Sequence, residues 1–376
     1  MSNELRLGEL ARCEEIPHTP YYGSVDATPL WLMLYSNYYK WTGDTETIKS
    51  LWSNALAAMD WIDQECQATG YISYLRRSPG GIQNQGWKDS NDCIVNSKGK
   101  LVDGAITLCE VQAYVYAAKL GASQIGRVLG YPELAEKWEL EAAQLKERFN
   151  RDFWLESENY CALALDEKGN PIDSITSNPA HCLQLGIFTA EKAEAVSDRL
   201  CAEDMFSGWG VRTLSSLSPA YNPMGYHLGS VWPHENAFAA VGLRNMGRIN
   251  SAFEIAEGLI DMTKVQPNNR PPELFCGFER EANRDPIKYP VACFPQAWAT
   301  GTIFKLLQMM VNLIPDAANN CLAIKNPALP KFINHLSVQN LKVGDNLVDF
   351  NLEKIGEITT CTVVKQQGDL QILIEA

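Results

Sequence analysis

Helical periodicity runs from about residue 28 to about residue 314, interrupted by loops longer than a plain helical array needs. Leu134, Trp138, Leu145 and Phe149 recur at spacings of four and seven, which places them on one helical face. Pro132 and Glu133 suit the first turn of that helix. Residues 45–64 carry a second stripe of Ile48, Leu51, Trp52, Ala55 and Met59, with Thr45 as a candidate cap. Further helices are predicted over 29–42, 104–128, 179–187, 190–203, 234–247, 250–264 and 292–312. The loops at 69–103, 151–178, 204–233 and 265–291 hold much of the Trp, Tyr, Asn and Gly of the chain, as ordered, site-forming loops do.

Helix pairs with long loops at one end point to an all-α toroid, in which inner helices surround a funnel and the loops build its mouth. An irregular helical array is the alternative. Strand signals are scarce before the tail. From Asn346 to Leu352 apolar and polar residues alternate, and two similar runs follow at 357–365 and 369–375. These predict a small antiparallel β appendage of about three or four strands. The expected division is a helical catalytic domain over residues 1–320 and a β extension over 321–376.

The formal net charge of -13 argues against nucleic acid and against anionic membrane surfaces, and suits a neutral partner such as an oligo- or polysaccharide. Eleven cysteines without a CxxC pair fit a reduced, cytoplasmic chain, and Cys109, Cys182 and Cys293 read as core residues. The N-terminus lacks an apolar secretory region, and no apolar run is long enough to span a bilayer. The five histidines show no metal-ligand spacing, and His234-Glu235 is not a zinc signature because no second His follows four residues on. No phosphate-cradling or dinucleotide motif and no nucleophile elbow is present, so neither a metal nor a cofactor is expected.

The chemistry lies in the loops. Asn84-Gln85-Gly86-Trp87-Lys88-Asp89-Ser90 offers a carboxylate among amides and an indole. Asp89 is either a general acid or a turn residue. Pro271-Pro272-Glu273-Leu274-Phe275 offers a second carboxylate on a stiffened approach. Glu273 is either a base that deprotonates a water or a surface partner of Arg270 or Arg280; Glu279 competes with it but sits beside Arg280. Two such carboxylates are the minimum for cutting a glycosidic bond. The block at 221–236 mixes aromatic faces, amides, His227, Trp232, His234 and Glu235, and its end also reads as the opening of a helix. Asp26 either binds a sugar hydroxyl or caps the helix after it, and Arg212, near Trp209, reads as a structural ion-pair partner.

Five blocks in order resemble the amylo-α-1,6-glucosidase domain of glycogen debranching enzymes. They are Tyr22-Gly23-Ser24-Val25-Asp26-Ala27-Thr28-Pro29-Leu30, Gln85-Gly86-Trp87-Lys88-Asp89-Ser90, Gly229-Ser230-Val231-Trp232-Pro233-His234-Glu235-Asn236-Ala237, Pro272-Glu273-Leu274 and Cys293-Phe294-Pro295-Gln296-Ala297-Trp298-Ala299. The resemblance covers about residues 5–300. It implies an (α/α)6 barrel of glucoamylase-like, six-hairpin type and inverting hydrolysis of α-1,6-linked glucose, as in glycogen debranching. It also implies Asp89 as general acid and Glu273 as general base. It sets Asp26, Trp87, Lys88, Trp209, His227, Trp232, His234, Glu235 and Gln296 near the substrate. Against that family the chain reads as N-terminally truncated, with the Leu-Arg-Leu-Gly-Glu-Leu-Ala-Arg stretch at residue 5 and fewer predicted helices than six hairpins require. The same mechanism on another α-glucoside or disaccharide, and a carbohydrate-binding remnant without catalysis, are the competing readings.

Overall fold

The structure, a computed structural model, describes residues 8–13, 15, 21–77 and 80–375. The first residues of the Leu5 to Arg12 stretch, and His18, lie outside the described residues. A short helix α1 (Glu9–Arg12) is followed by α2 (Ala27–Thr42), α3 (Thr45–Ser50) and α4 (Trp52–Glu65). Then come β1 (Thr107–Leu108), α5 (Cys109–Val128), α6 (Pro132–Asp152) and the short strands β2 (Trp154–Leu155), β3 (Tyr160–Cys161), β4 (Ala164–Leu165) and β5 (Pro171–Ile172). The helical part closes with α7 (Pro179–Leu185), α8 (Ala190–Leu200), α9 (Pro233–Asn245), α10 (Ile249–Lys264) and α11 (Ala297–Val311).

The local chemistry explains most boundaries. Proline opens α6, α7 and α9, where its missing N–H costs nothing. Gly43 ends α2 in the left-handed region (φ 64°), which an L side chain resists. Two expected caps are corrected. Asp44 rather than Thr45 caps α3, by accepting from the Thr47 N–H at 3.0 Å. Asp26 stands at the N-cap of α2, but its carboxylate does not cap; Ser24 Oγ accepts the Ala27 N–H instead. The helix expected over 45–64 breaks at Leu51 into α3 and α4.

Helices α2, α5, α7, α9 and α11 pack side by side in chain order as an inner arc. Outside them, α4 backs α2, α6 backs α5, α8 backs α7 and α10 backs α9. The middle three, α5, α7 and α9, are buried over most of their surface, as an element between two layers must be. Paired helices thus replace an irregular array. Among the described residues the arc has five inner helices, so the six-hairpin ring that the resemblance implies is not complete here.

The tail holds more strand than expected. β6 (Leu313–Asp316), β7 (Cys321–Lys325), β8 (His335–Val343), β9 (Asn346–Ile355), β10 (Ile358–Gln367) and β11 (Gln371–Glu375) form two three-stranded sheets. β8, β9 and β10 make an antiparallel meander. β11 pairs with β7 in parallel, so the region is mixed rather than purely antiparallel. Alternate residues of β9 (Val348, Phe350, Leu352) enter a second core with Leu322, Ile324 and Val311. Trp41 of α2 packs on this core, and its carbonyl accepts the Gly344 N–H.

No helix among the described residues is long and apolar enough to cross a membrane. All eleven cysteines are free; Cys109 and Cys182 are buried as expected, but Cys293 is exposed.

Gly258 sits where α10 touches the loop carrying Trp209, and a Cβ there would lie 2.4 Å from the Trp209 carbonyl oxygen. In an open helix Gly→Ala stabilises by about 1 kcal/mol. Here the backbone contact reverses the sign, and Gly258→Ala is expected to lower stability by about 1–3 kcal/mol in urea unfolding.

Candidate active site

The loop around Asp89 is held by its own amides. Asn84 accepts from the Tyr74 hydroxyl at 2.8 Å and donates to the Ser90 carbonyl at 2.7 Å, which ties the two ends of the motif together. Between them Trp87 and Lys88 turn inward while Asp89 remains exposed. Lys88 is only 2% exposed. Its ammonium donates to Asn178 Oδ1 (2.6 Å), the Thr213 carbonyl (2.8 Å) and Ser177 Oγ (3.1 Å). Burial pushes its proton affinity down, and Glu235 and Glu110 oppose that. Lys88 therefore anchors the loop instead of facing a ligand.

Glu273 is 6% exposed and has no arginine partner among the described residues. Oε1 accepts from the Tyr226 hydroxyl (2.8 Å) and Gln296 Nε2 (2.9 Å), and Oε2 accepts from the Cys293 N–H (2.8 Å). Arg280 pairs with Asp261 instead, and Glu279 is 80% exposed beside Arg212.

The two loops meet on one cluster. Trp87, Trp232 and Leu274 form a buried apolar knot with Tyr226 and Tyr289 packed against it. Val231 and Phe275 exchange both backbone hydrogen bonds, at 2.9 and 3.0 Å, which stitches the 221–236 block to the Glu273 loop. Ser90 Oγ, one residue beyond Asp89, meets His227 Nδ1 at 2.9 Å. The Tyr226 hydroxyl, bonded to Glu273, also lies in the field of Asp89; burial first, then these carboxylates, holds it well above the usual phenol range.

A cavity of about 330 Å³ opens at the centre of the arc and draws residues from all five inner helices. Asp26 and Leu30 come from α2, Tyr114 from α5, His181 from α7, His234 and Phe238 from α9, and Trp298 and Lys305 from α11, with Trp87 from its loop. Burial raises the proton affinity of the Asp26 carboxyl. Burial also drives His234 and His227 well below the ordinary imidazole range, so both are neutral. His234 stacks on Trp298 with centroids 3.9 Å apart, and among the described residues neither of its ring nitrogens has a hydrogen-bond partner. Buried polar atoms of that kind beside aromatic faces suit a ligand rich in hydroxyls.

Of the residues expected near a substrate, Asp26, Trp87 and His234 line this cavity. Gln296 holds Glu273. His227 and Trp232 stack on each other behind the knot, and the Trp232 indole donates to the Tyr226 carbonyl. Glu235 is wholly buried, with His181 Nε2 3.7 Å away. Trp209 lies under the Arg280 guanidinium, which is 4.6 Å from its ring. Lys88, Trp209, Trp232 and Glu235 thus lie in the framework rather than on the cavity surface. Asp89 and Glu273 do not line it either; they adjoin it through Trp87 and through Gln296, two residues before Trp298. Tyr226, Tyr114, His181, Trp298 and Lys305 were not singled out by sequence reasoning. Tyr226 and Trp298 fall inside quoted blocks, whereas nothing in a helical stripe marks Lys305.

Comparison with known proteins fits this geometry. No curated protein sequence matches the chain. Among solved structures, one described as a sialidase superposes with a TM-score of 0.65 at 12% identity, covering 91% of this chain and 31% of its own. The GH78 family rhamnosidase of a Bacillus species gives 0.64 at 13% identity, with 94% and 33% covered. The GH63 mannosylglycerate hydrolase from Thermus thermophilus, in complex with Tris and D-glycerate, gives 0.54 at 14% identity, with 75% and 76% covered. This chain spans about a third of the length of the first two, and at these identities the likeness is one of fold. The family model of the mannosylglycerate hydrolase MGH1-like glycoside hydrolase domain matches residues 12–279, a span that contains both Asp89 and Glu273. The chain belongs to this family of glycoside hydrolases.

Proposed function

We propose that the protein is an inverting glycosidase in which Asp89 is the general acid and Glu273 the general base. The observation that carries this reading is the environment of Glu273: a buried carboxylate with three hydrogen-bond donors, facing the same aromatic knot that carries the Asp89 loop. The Glu273 carboxylate takes a proton from water as the water oxygen attacks the anomeric carbon. Asp89 gives its proton to the departing glycosidic oxygen as the carbon–oxygen bond breaks. Asp89 is exposed in the free protein; a bound sugar strips water from it and favours its protonated form.

The substrate in this reading is a small α-glycoside with an acidic aglycone. A cavity of about 330 Å³ is at the small end of ligand sites. Lys305 lines it, and burial depresses its proton affinity. Such an ammonium suits a carboxylate on the ligand. D-glycerate, bound by the Thermus thermophilus protein, is an aglycone of this chemistry. Release of α-1,6-linked glucose from glycogen-type chains is the competing reading, and a non-catalytic carbohydrate-binding remnant is the third.

Asp89→Asn and Glu273→Gln are each expected to lower hydrolysis by about 10²–10⁴-fold with an unchanged circular dichroism spectrum. Wild-type turnover in either variant overturns the assignment. On an α-glycoside, an NMR time course is expected to show the β-anomer of the released sugar first; the α-anomer first contradicts inversion. A panel of glycosylglycerates, isomalto-oligosaccharides and limit dextrin separates the substrates. Lys305→Met is expected to raise KM about tenfold or more for the acidic aglycones alone, as loss of a charge-assisted contact should. Binding without turnover across the panel supports the remnant.

A further inference from the structure

We infer that Tyr226 is the positioning residue that orients the Glu273 carboxylate through its hydroxyl, so that losing that hydroxyl moves the acid limb of the reaction. This rests on the assignment of Glu273 as base. The phenol donates to Oε1 at 2.8 Å, and it is the only one of the three donors that belongs to the aromatic knot. Its ring is held from three sides, by His227 (4.5 Å between centroids), Trp232 (4.9 Å) and Tyr289 (5.6 Å). The hydroxyl therefore has little freedom, and Glu273 receives the bond without much further ordering cost. Gln296 stands at the N-cap of α11 and the Cys293 N–H lies on a loop, so the other two donors reach Glu273 from a different side of the site.

The groups that bear on this pair are few. Asp89 faces Tyr226 from the opposite loop, Cys293 adjoins Glu273, and Tyr289 lies against Tyr226 in the field of Glu273 and Asp92. His227 is neutral. Lys88 acts on His227 from the far side of Trp87. Of the three donors, the phenol is the one packed among aromatic rings.

The test is a carbon-13 NMR titration of glutamate-labelled protein, with the Glu273 carboxyl signal identified by its loss in Glu273→Gln. Tyr226→Phe removes one hydrogen bond to a charged group and keeps the ring. The Glu273 midpoint is expected to rise by about one to two pH units, and the acid limb of kcat/KM to rise with it while KM changes little. Site-specific 3-fluorotyrosine at position 226, a stronger donor, is expected to move both in the opposite direction, which guards against a folding defect in the Phe variant. A midpoint that stays in place in both proteins overturns the role of Tyr226. A midpoint that moves while the acid limb does not overturns Glu273 as the base and removes the catalytic part of the inference with it.

Discussion

The burial of the Lys88 ammonium is the constraint on which the rest of this site depends. A charge taken out of water costs several kcal/mol unless it is paired and hydrogen-bonded. Lys88 meets this with three acceptors drawn from the entrance to α7 and from the strand-like segment at Thr213, and with the fields of Glu235 and Glu110. Those acceptors lie 89, 90 and 125 positions along the chain, so the loop is held only where these segments meet it. Trp87 is then pressed among His181, His227, Trp232 and His234, and Asp89 is left as the residue that points outward.

Environment separates the two carboxylates more than chemistry does. Glu273 is buried under three donors, whereas Asp89 is open to solvent beside Ser90. In the proposed reading the roles of acid and base draw on this difference in surroundings. The aromatic knot produces the difference: it packs around Tyr226 and Leu274 on the Glu273 side and ends at Trp87 on the Asp89 side.

The cavity beside them is formed by a gathering of helices rather than by a single loop. Neutral imidazoles, an indole face and a carboxyl whose proton affinity is raised by burial give it donors and acceptors without a dominant charge, except for Lys305. Sugar hydroxyls suit the first group, and an anionic substituent suits the last.

The sequence alone determined the elements whose signal is local. The stripe from Leu134 to Phe149 with Pro132 at its head is α6, and the alternation after Asn346 is β9. That the chain is a glycoside hydrolase was legible in the ordered motif blocks, but the family they suggested was the amylo-α-1,6-glucosidases, and the one that matches is the MGH1-like domain. Only the tertiary structure decided what depends on distant segments. It broke 45–64 at Leu51, placed β11 parallel to β7, turned Lys88 and Trp232 into framework, and brought Tyr226 to Glu273 across 47 positions of chain. The reason is range: spacing reports which face of an element is apolar, but a buried charge or hydroxyl is defined by its partner, and here the partners lie tens of residues away.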